Sequence, residues 1–262
     1  MITIRDATIA DYPTFARLFL ELKVDDPVLS VDRFESEMLG TTLVAENDGV
    51  PVGYAYFRPF QSSTHLSHIV TAPESRRTGA GRALMTEVKK RAKALGCSML
   101  TLNVKPENKA AIALYRSFGL DVAYTSRALR IDWAIIDELP HEKAPFATLA
   151  RNIEPSDDAR LEDATRIATG LLAEQRARPN RVLRMIEAPG SPPALAVFDQ
   201  VFPGAYPLRA PAPPHVFSLL RALRPHARLE DTFINLMIED QADIAEALVA
   251  EGAQLRMEAL HM

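Results

Sequence analysis

A glycine-containing loop between an apolar strand and a long amphipathic helix constrains this chain more than any other feature of its sequence. The segment Arg76–Gly81 follows a predicted strand, His65–Thr71, and begins a helix whose apolar face carries Leu84, Val88 and Ala92. Glycines let successive backbone N–H groups point into one concavity, and the start of a helix adds partial positive charge. The sequence therefore predicts an anion site, suited to a phosphate-bearing cofactor, on a strand–helix unit.

The spacing of this loop excludes two common nucleotide-binding loops. The third glycine of a dinucleotide-binding fingerprint is missing, and no Gly-Lys-Ser/Thr follows, as a Walker loop would require. The loop instead adds the full positive charges of Arg76, Arg77 and Arg82.

The first half of the chain alternates strand and helix patterns, which predicts one mixed sheet flanked by helices. Asn47-Asp48-Gly49 predicts a hairpin turn, because asparagine, aspartate and glycine tolerate positive φ. The other predicted elements are strands at Ile2–Arg5, Thr42–Glu46, Val52–Phe57, Met99–Val104, Asp121–Tyr124 and Arg127–Trp133, and helices from Asp11, over Asp32–Leu39 and over Asn108–Phe118.

Composition changes in the 130s, which suggests a domain boundary there. Residues 1–133 carry 17 Lys and Arg against 15 Asp and Glu, leaving 13 and 19 of the totals of 30 and 34 for residues 134–262. Six of the 19 prolines precede residue 134 and thirteen follow it. We therefore expect two domains, residues 1–135 and 136–262.

The second half shows weaker patterns and one resemblance to the first. It predicts a helix over Asp157–Gln175, a strand at Ala194–Phe198, a proline-rich loop over Phe202–Pro214 and a helix at Val216–Leu223. An offset of about 133 residues aligns the ends of the two halves: Gly119 with Gly252, Asn108 with Gln241 and Tyr115 with Leu248. The sequence thus favours an internal duplication over an unrelated helical extension.

A second motif, Asn108-x-x-Ala111-x-x-Leu114-Tyr115, lies on the helix after the next strand. With the glycine loop and the opening Ile4-Arg5-x-Ala7-Thr8-x-x-Asp11, it makes residues 1–133 resemble the GCN5-related N-acetyltransferases (GNAT). That resemblance implies an α/β (α+β) fold with a mixed, mostly antiparallel sheet. If the second half is a duplicated copy, which would make the chain a tandem pseudo-repeat, it is a degenerate one that lacks the phosphate loop, because Pro211-Ala212-Pro213-Pro214 stands near the expected position and prolines remove backbone donors.

The resemblance implies a role for each matching residue. In the family, main-chain groups of Ile69, Val70 and Thr71 would hold the pantetheine arm of acetyl-CoA, and Asn108 would bond the same region. Tyr115 would protonate the departing thiolate, although its place in an apolar helical stripe equally fits core packing. Asn108 equally fits a helix N-cap. The pyrophosphate would lie on the loop residues Arg76, Arg77, Thr78, Gly79, Ala80, Gly81 and Arg82.

The general base is not evident from the sequence. Where some members carry Glu on the fifth strand, this chain has Asn103, which cannot accept a proton from an ammonium. Counting back from the loop places His65 where other members carry Glu, and an imidazole pKa suits a base. Strand alternation predicts that His68 faces the opposite side from His65. A chain of waters is the alternative to His65.

These observations predict an N-acyltransferase that moves an acetyl group from acetyl-CoA to a primary amine by direct attack. An inactive acyl-CoA-binding regulatory module or a protein-interaction scaffold is the alternative. Acidic residues between Glu21 and Glu37 favour a cationic acceptor. The protein is expected as a monomer with an intramolecular pseudo-dimer or as a homodimer.

Composition excludes several other classes. The net charge of −4 argues against general nucleic-acid binding. No apolar run approaches a membrane span, and the N-terminus lacks a signal pattern, so a cytoplasmic protein is expected. With Cys97 as its one cysteine, the chain cannot form a thiolate metal cluster, and no metal is expected.

Overall fold

The computed structural model describes residues 1–24, 27–60 and 63–262. It divides into two compact units, Met1–Ala123 together with Leu260–Met262, and Tyr124–Ala259. The boundary predicted after residue 135 lies further along the chain than this division, and the two predicted domains stay a prediction. No helix in the described part of the chain is long and apolar enough to cross a membrane.

The first unit is built on a five-stranded sheet in chain order. Neighbouring strands are antiparallel, except that β4 and β5 are parallel. Asp48 and Gly49 both have positive φ (51° and 81°), which confirms the predicted hairpin turn between β2 and β3. The strands are β1 (Ile2–Asp6), β2 (Thr42–Asn47), β3 (Val50–Phe60), β4 (Ser63–Thr71) and β5 (Met99–Val104).

Helices cover both faces of this sheet. Phe15, Phe34 and Tyr54 belong to the apolar core on one face. Leu84 and Leu102 belong to the core on the other. The helices of the first face are α1 (Tyr12–Phe19) and α2 (Val31–Arg33, continued by a wider turn over Phe34–Met38), and those of the second are α3 (Ala80–Ala94) and α4 (Lys109–Arg116).

The second unit repeats this topology. Its strands follow the order β7-β8-β9-β10-β11-β6, and again one pair of the repeated strands, β10 and β11, is parallel. The strands are β6 (Tyr124–Asp132), β7 (Arg151–Asn152), β8 (Arg181–Ile186), β9 (Ala194–Asp199), β10 (Gly204–Arg209), β11 (Phe233–Glu239) and β12 (Gln254–His261). The helices are α5 (Trp133–Glu138), α6 (Asp158–Thr165), α7 (Leu171–Ala177), α8 (Pro213–Leu223) and α9 (Ala242–Ala250).

Each unit contains an ion pair between a partly exposed arginine and a largely buried aspartate. Arg5 donates to both carboxylate oxygens of Asp11 at 2.7 and 2.8 Å. Arg151 contacts Asp157 in the same bidentate way, at 2.6 and 2.9 Å. In both pairs the arginine lowers the pKa of the carboxyl group. Because the pair joins β1 to the start of α1 in one unit and β7 to the start of α6 in the other, it supports the predicted duplication.

In each unit, one strand pairs with a partner that is far away in sequence. In the first unit, β5 pairs with the end of β12, through Leu260 opposite Val104 and His261 opposite Asn103. In the second unit, β11 pairs along its whole length with β6, which directly follows α4 of the first unit. Strands β6 and β12 are thus exchanged between the two copies.

Three predictions about elements are wrong. The strands predicted at Asp121–Tyr124 and Arg127–Trp133 are one strand, β6, and Trp133 begins α5. The helix over Asp157–Gln175 is two helices: Arg166, with a φ of 55°, ends α6, and Gly170, with a φ of 84°, is the N-cap of α7. The loop predicted over Phe202–Pro214 contains β10, whose strand pattern was hidden by Pro207 within it and by the prolines that follow it.

Candidate active site

The glycine loop presents a row of backbone donors. Arg77 and Gly79 have positive φ (65° and 94°), and Gly79 is the N-cap of α3. In the described part of the chain, the N–H groups from Arg77 to Arg82 donate to no protein acceptor. Such a row at the start of a 15-residue helix is suited to an anion such as pyrophosphate.

The arginines of this loop have different surroundings. Arg76 is already bonded to Glu21, with Nη2 and Oε2 2.8 Å apart. The guanidinium of Arg82 lies 5.5 Å from the ring centre of Phe118. The backbone groups, rather than Arg76, therefore form the part of the loop that is open to a ligand.

Strands β4 and β5 separate at the end that leads into this loop. Their parallel register runs from Ser63 opposite Met99 to Leu66 opposite Leu102, and the rest of β4 does not continue it. A bulge at Ser67 interrupts the β3–β4 register at the same place. The gap between the separated strands, which we call the first gap, is lined by the predicted pantetheine-binding residues.

Glycines let the walls of this site approach closely. A Cβ on Gly53 of β3 would lie 2.6 Å from the Val70 carbonyl oxygen, so no other residue fits there. A Cβ on Gly81 would lie 3.5 Å from Leu114 of α4 and 3.9 Å from Thr71. The loop, the end of β4 and α4 are therefore immediate neighbours.

Tyr115 and Asn108 lie on α4 beside the loop. The ring of Tyr115 is buried in the apolar core shared with α3, and burial raises the pKa of its hydroxyl to about 12. That hydroxyl has no hydrogen-bond partner among the described residues, and it is not among the fully buried polar atoms. The Asn108 carbonyl oxygen accepts from the Ala111 N–H at 3.2 Å, which confirms the N-cap geometry. The catalytic and ligand roles predicted for these two residues stay predictions.

The opposite face of the sheet carries two histidines. His65 is half-buried, and its Nδ1 lies 3.1 Å from the Thr101 hydroxyl on β5. Burial, with smaller effects from Arg58 and His261, lowers the pKa of His65. Nδ1 of His68 lies 3.3 Å from the Tyr54 hydroxyl.

The prediction that His65 and His68 face opposite sides is wrong. His68 lies opposite Tyr56, and His65 lies opposite Arg58, two residues further along β3. Opposite residues in antiparallel strands share a face, so the Ser67 bulge restores His68 to the side of His65. Both histidines therefore lie on the face covered by α1 and α2, away from Tyr115.

Sequence reasoning missed a third histidine on this face. His261 lies opposite Asn103, which has the same orientation as Thr101 two residues earlier. The influence of His261 on the pKa of His65 agrees with this placement. Only the strand exchange brings it here, and no local pattern near residue 261 signals it.

Comparison with known proteins shows which proteins the chain resembles. Residues 5–120 match the family described as the acetyltransferase (GNAT) family. The L-2,4-diaminobutyric acid acetyltransferase of Nocardia farcinica is 35% identical over 79 residues, which are 29% of this chain and 41% of that protein. The L-amino acid N-acyltransferase MnaT of Escherichia coli is 28% identical over 127 residues, 44% of this chain and 74% of that protein. The chain thus spans less than half of the diaminobutyrate enzyme.

Two solved structures share the fold over almost the whole chain. A GCN5-related N-acetyltransferase from Sphaerobacter thermophilus has a TM-score of 0.63 at 15% identity, with 99% of this chain and 94% of that chain covered. Another from Kribbella flavida has a TM-score of 0.53 at 17% identity, covering 99% and 71%. The predicted fold class is confirmed, and so is the predicted resemblance of the first unit to the acetyltransferase (GNAT) family, whose match covers residues 5–120.

Proposed function

We propose that the whole chain transfers an acetyl group from acetyl-CoA to a primary amine by direct attack. The observation that carries this proposal is the first gap. It has a row of free backbone donors at one end, a tyrosine on one side of the sheet and histidines on the other. An acyl donor threaded through such a gap presents its carbonyl to one face and its sulfur to the other.

The loop and the strand end would hold the donor. The N–H groups of Arg77 to Arg82 would bind the pyrophosphate, and main-chain groups of Ile69 to Thr71 would bind the pantetheine arm. Arg76 would act indirectly, because its bond to Glu21 fixes the loop. Acetyl-CoA supplies the activated acyl group.

On the acceptor side, we propose His65 as the base that takes a proton from the amine. Its lowered pKa keeps the imidazole neutral near neutral pH, as a base requires. His68 is the competing residue, since the bulge places it on the same face and nearer the first gap. Asn103, as the sequence indicated, supplies no base.

On the donor side, Tyr115 would stabilise the departing thiolate. A hydroxyl pKa of about 12 keeps the phenol protonated, so it can donate a hydrogen bond. Complete proton transfer to a thiolate, whose conjugate acid has a pKa of roughly 8.5, would be uphill. Tyr115 therefore contributes a hydrogen bond more than a proton.

The names of the two curated relatives support a small amine as the acceptor, since both act on amino acids. The predicted acidic attraction for a cationic amine has weaker support. Glu21 is paired with Arg76, and Glu37 with Arg33, so part of that acidic charge is already neutralised. Asp25 and Asp26 lie outside the described residues.

Incubating the protein with acetyl-CoA and a panel of amines tests this function. We expect release of free CoA thiol together with an acceptor heavier by one acetyl group. Calorimetry with acetyl-CoA alone separates the alternatives. Binding without turnover of any amine would favour the regulatory module, and absence of binding would favour the scaffold.

A further inference from the structure

We propose that Arg58 binds a carboxylate of the acceptor, so that the preferred substrates are amines that carry a carboxylate beside the reacting nitrogen. This inference rests on the proposed N-acetyltransferase function and narrows its substrate class. It concerns the acceptor face of the first unit.

Arg58 contacts the residue at which the first gap begins. Its Nε is 3.3 Å from the hydroxyl of Ser67, the bulge residue at which β4 separates from β5. It is also directly opposite His65 in the β3–β4 register. A group bound by this guanidinium therefore lies next to both the proposed base and the place where the acyl carbon must sit.

The charge of Arg58 is not neutralised within the described part of the chain. No carboxylate there lies within ion-pair distance of it, and its side chain is exposed. Five arginines of the first unit have a carboxylate partner, whereas Arg58 shares the lack of an ion pair to a described residue with the loop and α4 arginines Arg77, Arg82 and Arg116; the paired five are Arg5, Arg17, Arg33, Arg76 and Arg91. Of the unpaired four, Arg58 is the one on β3, opposite His65. An exposed cation beside a reaction site is available to an anionic group of a substrate.

The side chain is also partly fixed in place. The guanidinium carbon lies 5.6 Å from the ring centre of Phe60, and Nε is engaged by Ser67. The two terminal nitrogens make no hydrogen bond to a described residue, which leaves them for a ligand. A planar pair of N–H donors matches a carboxylate in bidentate geometry.

A contact between Arg58 and the carboxylate of an acceptor would also orient the amine of the same molecule. In an amino acid, only one or a few carbons separate the carboxylate from the amine. A carboxylate on Arg58 therefore confines the amine to the neighbourhood of Ser67 and His65. An amine without a carboxylate would lack this restraint and would need a higher concentration to react.

Matched acceptors test the proposal in the full-length protein. L-2,4-diaminobutyrate and 1,3-diaminopropane differ by the carboxylate alone, as do L-methionine and 3-(methylthio)propylamine. In whichever of these pairs is acetylated, we expect the wild type to have a higher kcat/KM for the compound that carries the carboxylate. Arg58→Gln should raise KM for that acid at least tenfold and change kcat/KM for the plain amine less than about twofold, the scale of a lost charge-assisted pair.

A conservative variant and a cofactor titration serve as controls. Arg58→Lys should restore part of the preference, because a point charge replaces the bidentate contact. Acetyl-CoA affinity should stay unchanged in both variants, which shows that the fold is intact. Equal losses for acid and amine, or a wild type without preference, would overturn the role of Arg58. Failure of the wild type to acetylate any amine is a different result, and it would overturn the N-acetyltransferase proposal itself.

Discussion

Each unit of this protein contains a gap between two parallel strands, but the gaps are closed to different degrees. In the second unit, β10 also has a bulge, after Ala205, and its pairing with β11 stops there. Glu239 of β11 then accepts hydrogen bonds from Tyr206 and Arg209 of β10. In the first gap, no side-chain hydrogen bond among Ile69–Thr71, Asn103 and Val104 crosses between the strands.

The loops that follow the two gaps also differ, because the loop of the second unit is shorter and has fewer free backbone donors. The segment Ala72–Gly79 separates β4 from α3, whereas only Ala210–Ala212 separates β10 from α8. Gln241, the counterpart of Asn108, donates its side-chain amide to the Ala210 carbonyl. Pro213 and Pro214 occupy the first two positions of α8, where α3 has Ala80 and Gly81, and proline has no N–H.

One topology thus supports two outcomes. The bulge and the separation of the strands come with the fold, because both copies have them. The capacity for a ligand depends on a few donors and on whether side chains bridge the gap. We infer that the second unit serves as a structural partner, and four changes test this difference.

The largest effect is expected for His65, the proposed base on the acceptor face. The second unit has no counterpart to it, because its strands β9 to β11 contain no histidine. His65→Gln should lower kcat/KM by roughly 10²–10⁴, the range for a lost general base. In the wild type, the acidic limb of kcat/KM that reports His65 should lie below pH 6.5, because burial lowers the pKa of His65 from 6.5. His65→Gln should remove this acidic limb. A retained limb that disappears in His68→Gln would move the base to His68.

A smaller loss is expected for Tyr115→Phe. The ring remains in the core, so stability and acetyl-CoA affinity should change little. Turnover should fall about 10²-fold, the low end of the range, because the phenol donates a hydrogen bond more than a proton. The matched change in the second unit is Leu248→Ala, which should cost about 2–5 kcal/mol of stability without slowing the folded enzyme. Turnover of Tyr115→Phe within twofold of wild type would assign Tyr115 to core packing alone.

Gly81→Pro places a proline at the second position of α3, where α8 has Pro214. Proline is tolerated in a first helical turn, so the fold should persist while one backbone donor is lost. Acetyl-CoA affinity should fall at least tenfold by calorimetry. Pro214→Gly is the matched control, and we expect it to leave acetyl-CoA affinity unchanged. Undiminished binding by a folded Gly81→Pro protein would contradict the assignment of the loop.

The smallest effect should come from removing the side-chain contact that bridges the gap between β10 and β11. Glu239→Gln removes the charge that Arg209 contacts, in a pair whose side chains are 14% and 19% exposed. The free energy of unfolding should fall by about 1–3 kcal/mol. Acetyl-CoA should still bind with a stoichiometry of one. A second binding event in this variant would show that the bridge, rather than the short loop, keeps the second unit free of ligand.

The sequence predicted the first unit well, because its signals are local. The hairpin glycine, the loop before α3 and the N-cap at Asn108 each act through neighbouring residues. The face of His68 could not be predicted, since a bulge at Ser67 has no signature of its own and reverses strand alternation. Strand β10 was missed because Pro207 lies within it and prolines follow it.

The placement of His261 depends on pairing between Asn103 and a residue far along the chain, which periodicity does not encode. The open guanidinium of Arg58 was likewise invisible, because ion-pair partners are a matter of tertiary structure. Local rules therefore led to the proposed donor site, whereas the proposed acceptor site depends on long-range contacts.

The strand exchange has a consequence for how the protein reaches its native state. During synthesis, β5 is complete long before Leu260 emerges, and β6 is complete long before β11. Until then each strand has an exposed edge that other chains can pair with. Contacts of such wide sequence separation slow folding, because the loops must close before the contacts can form. The first unit lacks the end of β12 until Leu260 and His261 have been made, so its sheet should reach the final structure only then.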